Sequence, residues 1–536
     1  MVMGGKGKSY CWLSLCLLGS TIVNIYFLSD LYIDGKGKVS WSEEGAAKAE
    51  EVASIYCSNH GRAYLDGVIG EDGKPVCECH TCYAGSDCSL LLPHCAADVD
   101  RGAHGSRIDG YGSEPQVSVL KISEPEPNCE GVLRLWFRFQ NRRFRFWFRT
   151  GGFPTVFHSS KSPVFGGSGS ISQFRGDPLF LEPFWMHHAS SSAVLISGWH
   201  RMSYSFPGPT PISEVLDSHI RRIHHVAKNA LTDGKYIVFG AGSTQLLNAA
   251  VYALSANLSS PASVVASAPF YPIYKSQTDF FQNENYAFKG EASLMSNASY
   301  ANTNVIEFVT SPNNPDGNLK EAVCKGPNVR AIYDHAYFWP HFTAIPSPAD
   351  EDVMIFTMSK LTGHAGSRFG WALVKDEEVY NNMMTYISVA EIGISRETQL
   401  RALQLMKAIL RGDGKEIFDY AFEKMSDRWG KISRVFSKSK RFSIQEIPPL
   451  YCNFFDKVRG PSPGYAWVKC EREEDLNCTR VLGEANIIGR AGSRFSVADR
   501  HVRLSLLKGD DDFNLLLNRL ETLVDEEGGP EAVSSF

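Results

Sequence analysis

No charge of either sign dominates this sequence. Its 54 lysines and arginines stand against 59 aspartates and glutamates, a net charge of −5 with a pI near 6.3. No global field therefore recruits nucleic acid or an anionic membrane surface. The chain also lacks the composition of a polytopic membrane protein, a collagen-like fibre or a wholly disordered polymer, since 43% of its residues are hydrophobic and 21% charged, ordinary values for a chain with a full core. A second CxxC pair is missing as well. Only Cys79-His-Thr-Cys82 has that spacing, so His60, His80 and His94 nearby do not make a zinc site, and no metal is expected. At 536 residues, and roughly 100–200 residues per domain, the chain holds two or three domains.

What is present begins with Lys6 and Lys8, followed by the uncharged run Tyr10–Leu28. That run is longer than a secretory h-region of about 7–15 residues and matches a spanning helix of about 17–25. Residues 1–34 are therefore expected to be an uncleaved signal anchor, with a cleaved signal peptide as the alternative. Either sends the chain into the secretory pathway, as a single-pass membrane protein with a luminal catalytic region or as a vacuolar or extracellular protein. Three glycosylation sequons, at Asn257, Asn297 and Asn477, agree with that compartment.

The cysteines are not spread evenly. Cys57, Cys77, Cys79, Cys82, Cys88 and Cys95 crowd one Gly- and Asp-rich stretch too small to bury a core, which needs disulfides worth about 2–4 kcal/mol each. Dense cysteines of this kind indicate an oxidising lumen, and their spacing alone selects no pairing. The segment 47–100 resembles the epidermal-growth-factor-like module at the front of alliinases. That resemblance implies Cys57–Cys77, Cys79–Cys88 and Cys82–Cys95, and a packing or docking role without chemistry of its own. Cys470 and Cys478 close a short loop and are expected to form a further disulfide, while Cys324 and Cys452 are expected to be free and buried.

Residues 101–174 break the pattern. Arg134–Arg149 reads RLWFRFQNRRFRFWFR, six arginines and seven aromatics in one run. It reads as a basic-aromatic patch for nucleic acid or a membrane surface, as an unpacked insertion, or as a retained intron or faulty gene model. The last explains best why CAADVDR and RGDPLFLEPFW stand so far apart. No nucleic-acid partner is expected, and membrane contact is expected through the N-terminal segment only.

From Gly176 the chain alternates apolar strands with helical segments. YIVFGAGSTQLLNAAVYAL reads as a strand, a Gly-rich turn and a helix, placing Ser243 and Thr244 where free helix amides can hold a phosphate. VIEFVTSPNNPDG ends a buried strand on a polar turn with Asn314. NVRAIYDHAYFWPHF delivers Asp334 and Tyr337, and DVMIFTMSKLTGHAGSRFGWALVKD delivers Thr357, Lys360 and Arg368. Polar residues at the carboxyl ends of successive strands are where α/β sheets bind ligands.

These segments, taken in this order, resemble the pyridoxal-phosphate enzymes of fold type I, and above all the alliinase and tryptophan-aminotransferase-related family of plants, over roughly residues 47–100 and 175–524. The resemblance implies an α/β large domain with a mostly parallel sheet flanked by helices (175–430) and a smaller α+β C-terminal domain (431–527). It implies pyridoxal 5′-phosphate as cofactor and Lys360 as the Schiff-base lysine. Ser243, Thr244, Thr357 and Arg368 would hold the phosphate, Asp334 the ring nitrogen, Asn314 and Tyr337 the ring hydroxyl, and Tyr271 would stack on the ring. The resemblance also implies a homodimer with active sites at the interface; Arg503 would grip the substrate carboxylate, and Tyr204 would reach cofactor or substrate across that interface. A Ser-Gly pair binds substrate in the family; Gly176 is kept here, but Arg175 replaces the serine.

The chemistry suits these residue types. A partly buried lysine near cations is tuned for Schiff-base formation and proton transfer, and an arginine offers a carboxylate two parallel donors. The expected reaction is amino transfer from an L-amino acid such as tryptophan to a 2-oxo acid such as pyruvate. The alternatives are alliinase-like β-elimination from an S-alkyl-cysteine sulfoxide and an inactive anchored glycoprotein that binds a partner. His335, His341 and His364 lie near the site residues and are assigned no chemistry.

Overall fold

The computed structural model describes residues 55–58, 61–64, 76–79, 83–91, 136–139, 142–145, 178–194, 196, 202–206, 211–296 and 303–527. The chain divides into two compact units, Met1–Ala103 with Ser170–Phe536, and His104–Gly169. The smaller unit contains an antiparallel hairpin in which Trp136–Phe139 pairs with Arg142–Arg145. The run Tyr10–Leu28, Cys82, Cys95, Arg175, Gly176 and Asn297 lie outside the described residues. Among the described residues no helix is long and apolar enough to cross a membrane.

In the cysteine-rich module, Gly61–Tyr64 pairs antiparallel with Val76–Cys79, and Tyr83–Ala84 with Leu90–Leu91. Cys57 and Cys77 form the expected disulfide. Cys88 is buried and disulfide-bonded.

The larger unit is organised by a seven-stranded sheet of β1 (Tyr236–Gly240), β2 (Ala262–Ala266), β3 (Tyr286–Glu291), β4 (Val305–Thr310), β5 (Val329–Asp334), β6 (Val353–Thr357) and β7 (Gly370–Val374). Their order is β1-β7-β6-β5-β4-β2-β3. Neighbours from β6 through β3 run parallel, and β7 runs antiparallel to both β6 and β1. The central strands are continuous apolar runs because helices and loops cover both faces. In β7, Trp371 and Leu373 join one core cluster while Ala372 and Val374 join the other, the period-two alternation of a strand buried on both sides.

Helix α1 (Glu214–Ala227) covers one face with Leu216, Ile220, Ile223 and Ala227, and Ser213 caps its start by accepting from Leu216 N at 3.2 Å. Helix α2 (Ser243–Ser255) is buried along most of its length on the other face. Helix α3 (Ile273–Phe281), the one-turn α4 (Met358–Leu361), α5 (Glu377–Glu391) and α6 (Arg396–Ile409) complete this part.

The long helix α7 (Glu416–Phe436) leads to a four-stranded antiparallel sheet, β8 (Phe442–Ile444), β9 (Tyr465–Cys470), β10 (Arg490–Ala491) and β11 (His501–Ser505), ordered β8-β9-β11-β10. Helix α8 (Cys478–Glu484) is tied to β9 by the Cys470–Cys478 disulfide. Helix α9 (Asp510–Glu526) closes the chain over this sheet, burying Phe513, Leu516, Leu520 and Val524 at helical spacing. Cys324 and Cys452 are free and buried.

One buried polar cluster fixes α1 on the sheet. The Trp371 indole N–H donates to His224 Nε2 at 2.9 Å, so Nδ1 carries the proton and donates to Asn229 Oδ1 at 2.8 Å. Burial pushes the His224 imidazole down to about 4. Its unfolded value is higher, so the stability it contributes is complete above about pH 6.5 and falls as pH drops towards about 4, at about 1.4 kcal/mol per unit. The melting temperature should decline across that window, and His224→Gln, which keeps a donor and an acceptor, should shallow the decline. Equal slopes for the two proteins would contradict this assignment.

Candidate active site

The strand register assembles the site. Gly370 pairs with Thr357 on one side and with Gly240 on the other, so the loop after β6, the start of β7 and the turn after β1 meet at one edge. Gly242 has φ +75° and leads directly into Ser243, the first residue of α2. The turn is held by Gln245 Oε1, which accepts from Ala241 N at 2.8 Å, and by Gln277 Nε2, which donates to Thr244 O at 2.7 Å. Arg368, itself at φ +50°, donates from Nη1 to Ala365 O at 3.1 Å and from Nη2 to Ala241 O at 3.2 Å.

The Arg368 guanidinium thus lies over Gly242, where a Cβ would come within 2.6 Å of Nη2, and a Cβ on Gly370 would come within 2.8 Å of Ser243 N. Both glycines keep open a cup formed by the first amides of α2, the Ser243 and Thr244 side chains and a guanidinium. That is the donor set of a phosphate site. The Thr357 hydroxyl is turned away from solvent and caps α4, accepting from Ser359 N at 3.2 Å and meeting Ser359 Oγ at 3.1 Å. The structure brings Ser243, Thr244 and Arg368 together and gives Thr357 a part in shaping the Lys360 turn.

Lys360 sits on α4 with Nζ 5.3 Å from the centre of the Tyr337 ring. Its carbonyl accepts from His341 Nε2 at 3.2 Å, and burial pushes that imidazole down to about 3. Asp334 ends β5 and is buried, accepting from Tyr274 Oη at 2.8 Å and from Ala336 N at 3.1 Å. Burial raises its carboxyl above the ordinary value, opposed by those two hydrogen bonds and by the charges of His335 and Lys360. A cationic ring nitrogen beside Asp334 would favour its charged form, as the pyridine ring of the expected cofactor requires.

The third group comes from the smaller sheet. Arg503 lies opposite Trp467 on β9 and opposite Arg490 on β10, and side chains of directly opposed residues share a face. Arg503 is buried and donates from Nη1 to Asn314 Oδ1 at 2.7 Å, while its Nε has no partner. Its guanidinium stacks 3.9 Å from the centre of the Tyr465 ring. Asn314 is presented by the SPNNPDG turn, closed by Asn313 N to Asn318 O at 2.7 Å and Gly317 N to Asn313 O at 2.8 Å. Tyr337 and Tyr465 share a short hydrogen bond between their buried phenols. Tyr271 is half-buried with its ring edge-on to Tyr274, and burial, Tyr465 and Asp334 all raise its phenol.

Tyr204 is not in this cluster: it is 76% exposed, on a loop whose Ser203 and Ser205 carbonyls both accept from Arg396 Nη1 at 3.2 Å. Asn257 and Asn477 are exposed, and Asn477 also caps α8, accepting from Arg480 N at 2.9 Å. The motifs alone did not single out Tyr274, Tyr465 or Arg490. Tyr274 lies on α3 three residues beyond Tyr271, which precedes the helix, so helical spacing does not link the two, and nothing local marks Tyr465 or Arg490.

The residues present fit pyridoxal phosphate. The cup matches its phosphate, Asp334 its ring nitrogen and Lys360 its aldehyde. Gly242→Ala should strain a positive φ and push Arg368 out of the cup, weakening cofactor binding about 10-fold or more with little loss of melting temperature. Titration of the cofactor-free protein with pyridoxal phosphate reads this directly, and an unchanged affinity would remove Gly242 from the cup.

Comparisons of the sequence with known proteins agree with this reading. The Allinase family matches residues 171–524 and the Alliinase EGF-like domain matches residues 40–95. The chain is 42% identical to tryptophan aminotransferase-related protein 4 of Arabidopsis thaliana, over 96% of each chain. It is 40% identical to an alliin lyase of Allium cepa, over 97% of this chain and 94% of that one. Among solved structures, an aminotransferase from Staphylococcus aureus covers 64% of this chain and 90% of its own at 16% identity, with a TM-score of 0.48. With its epidermal-growth-factor-like module and its pyridoxal-phosphate site, the chain belongs to the alliinase family, alongside the tryptophan-aminotransferase-related proteins and alliin lyases of plants.

Proposed function

We propose that this protein is an L-amino-acid aminotransferase that moves the amino group of an amino acid such as tryptophan to a 2-oxo acid such as pyruvate. The observation that carries the amino-acid reading is Arg503, a buried guanidinium held by Asn314 and Tyr465 with no carboxylate within ion-pair distance among the described residues. A substrate carboxylate supplies the missing anion in two parallel hydrogen bonds. The likeness to a tryptophan aminotransferase-related protein over 96% of each chain supports amino transfer.

Each residue has a distinct task. Lys360 would hold the cofactor and, once released by the substrate's amino group, would remove the proton from the donor's Cα and, in the second half of the cycle, deliver a proton to the Cα of the amino acid formed from the 2-oxo acid. The bound cofactor supplies the electron sink that makes that proton removable. Asp334 keeps a negative charge against the ring, and Tyr274 orients it. Arg503 fixes the carboxylate and so sets which Cα bond faces Lys360, and the buried phenols of Tyr337 and Tyr465 line the inner wall.

The same supports extend to setting. The Cys57–Cys77 and Cys470–Cys478 disulfides suit a luminal or extracellular compartment, and the exposed Asn257 and Asn477 sequons suit glycosylation there. The exposed Tyr204, on a loop clamped by Arg396, suits contact with a second copy in a homodimer.

The test is made on the luminal chain lacking residues 102–174 and loaded with pyridoxal phosphate. Given S-allyl-L-cysteine sulfoxide without a 2-oxo acid, it should release no pyruvate or ammonia; given L-tryptophan and pyruvate, it should form alanine. Catalytic release from the sulfoxide would make it a carbon–sulfur lyase instead. Arg503→Lys should raise KM for the amino acid about 10-fold or more, because an ammonium cannot make the paired contact. An unchanged KM would move the carboxylate site elsewhere.

A further inference from the structure

The buried arginines Arg428, Arg459 and Arg503 of the larger unit differ in how their donors are used. Arg428 reaches Leu506 O at 2.5 Å, Lys508 O at 2.6 Å and Asp510 Oδ1 at 2.8 Å. Arg459, stacked on Phe422 at 4.1 Å, gives its Nη atoms to Pro340 O, Thr343 O and Ser462 Oγ. Both are spent on the fold. Arg503 has the same kind of aromatic seat, Tyr465 at 3.9 Å, but a single hydrogen-bond acceptor, Asn314, where Arg428 and Arg459 each have several. Its position therefore depends on the ring beneath it more than on hydrogen bonds.

That ring is well placed to set it. Tyr465 begins β9 and is buried, with Trp467 two residues on and Arg503 across the strand pair on the same face. Gln445 pins the strand there, donating from Nε2 to Tyr465 O at 2.9 Å and accepting from Trp467 N at 2.7 Å. At the far end of the same ring, the phenol bonds to the phenol of Tyr337, whose own ring faces Lys360 Nζ. We infer that Tyr465 is a positioning residue of this active site: its ring face seats the Arg503 guanidinium, and its phenol ties that seat to Tyr337 beside Lys360.

The charges around Tyr465 follow the same layout. Tyr337, Tyr271, Lys360, Arg503 and Arg490 all act on it. Burial pushes its phenol up, but Arg503, Lys360 and the Tyr337 hydrogen bond more than offset that and leave it below the ordinary value, while burial and Tyr465 push Tyr337 well above. The two phenols that share one hydrogen bond are thus shifted in opposite directions.

The inference rests on Arg503 binding the substrate carboxylate, and its test separates the two ideas. Tyr465→Leu removes ring and phenol, whereas Tyr465→Phe keeps the ring face. The Leu variant should raise KM for L-tryptophan (or for S-allyl-L-cysteine sulfoxide, whichever turns over) about 10-fold with a smaller change in kcat, and the Phe variant should restore KM to near wild type. In the cofactor-free protein, the ultraviolet tyrosinate titration should show one phenol ionising below the ordinary range, and Tyr465→Phe should abolish that step. A wild-type KM in the Leu variant, an equal KM rise in the Phe variant, or a titration step that survives in the Phe variant would each overturn the inference. If Arg503→Lys leaves KM unchanged, the carboxylate reading fails by itself, and the titration still decides whether Tyr465 is the coupled phenol. Should the Leu variant not fold, the Phe variant's KM and titration carry the decision.

Discussion

The site depends on one antiparallel strand. β7 lies between β1 and β6 and runs against both, so its first residue, Gly370, meets the last residues of its two neighbours. An antiparallel return needs only a short connection, and that connection holds Lys360 and Arg368 within a dozen residues. A parallel arrangement would need a long crossover and would carry these residues away from the start of α2. The short return also leaves no room for side chains at the junction, which is why Gly242 and Gly370 stand where any Cβ would strike the Arg368 guanidinium or the first helix amide.

The second half of the site comes from a separate sheet with a different logic. On β9, β10 and β11 the antiparallel register places Tyr465, Trp467, Arg490 and Arg503 on one face. Arg490 and Arg503 oppose one another directly, and like charges in that relation destabilise a sheet by up to about 1 kcal/mol. The fold carries that cost where it also carries a buried guanidinium with an unpaired Nε and a buried carboxylate, Asp334, raised by its surroundings. Structural ion pairs of the same chain, such as Arg441 with Asp475 at 2.6 Å, are neutralised in place.

How much of this was legible in the sequence varies with the range of the interaction. Lys360 and Arg368 could be found because they lie eight positions apart in one strand–turn–strand segment, and Ser243 and Thr244 because a Gly-rich turn before a helix has a local signature. Asp334 and Asn314 were marked by apolar strands ending in polar turns. Arg503 came from family likeness, since a basic residue in HVRLSLL is locally indistinguishable from a surface charge. Tyr465 and Tyr274 were missed for a related reason. An aromatic in a strand or helix reads as core, and only pairing across 128 residues to Tyr337, or 60 to Asp334, gives its hydroxyl a task. Thr357 was expected at the phosphate, yet its hydroxyl turns inward to cap the Lys360 turn, a choice set by one rotamer that no spacing encodes.

The distribution of unpaired charge also bears on how the enzyme holds itself together. Burying a guanidinium without an anion is costly, and removing the partner of a buried charge typically costs about 3–5 kcal/mol. Arg503 begins in that condition, relieved by the Asn314 carbonyl oxygen and by the electron-rich faces of Tyr465 and Phe495, 3.9 and 5.2 Å away. Asp334 is in the mirror condition, a carboxylate whose nearest fixed donors are the Tyr274 hydroxyl and one backbone amide. On the proposed reading each would be completed by a different molecule, Arg503 by an anionic substrate and Asp334 by a cationic ring. Ligands that bind only the folded chain stabilise it in proportion to their occupancy, so cofactor and substrate here each remove an electrostatic penalty that the empty fold carries.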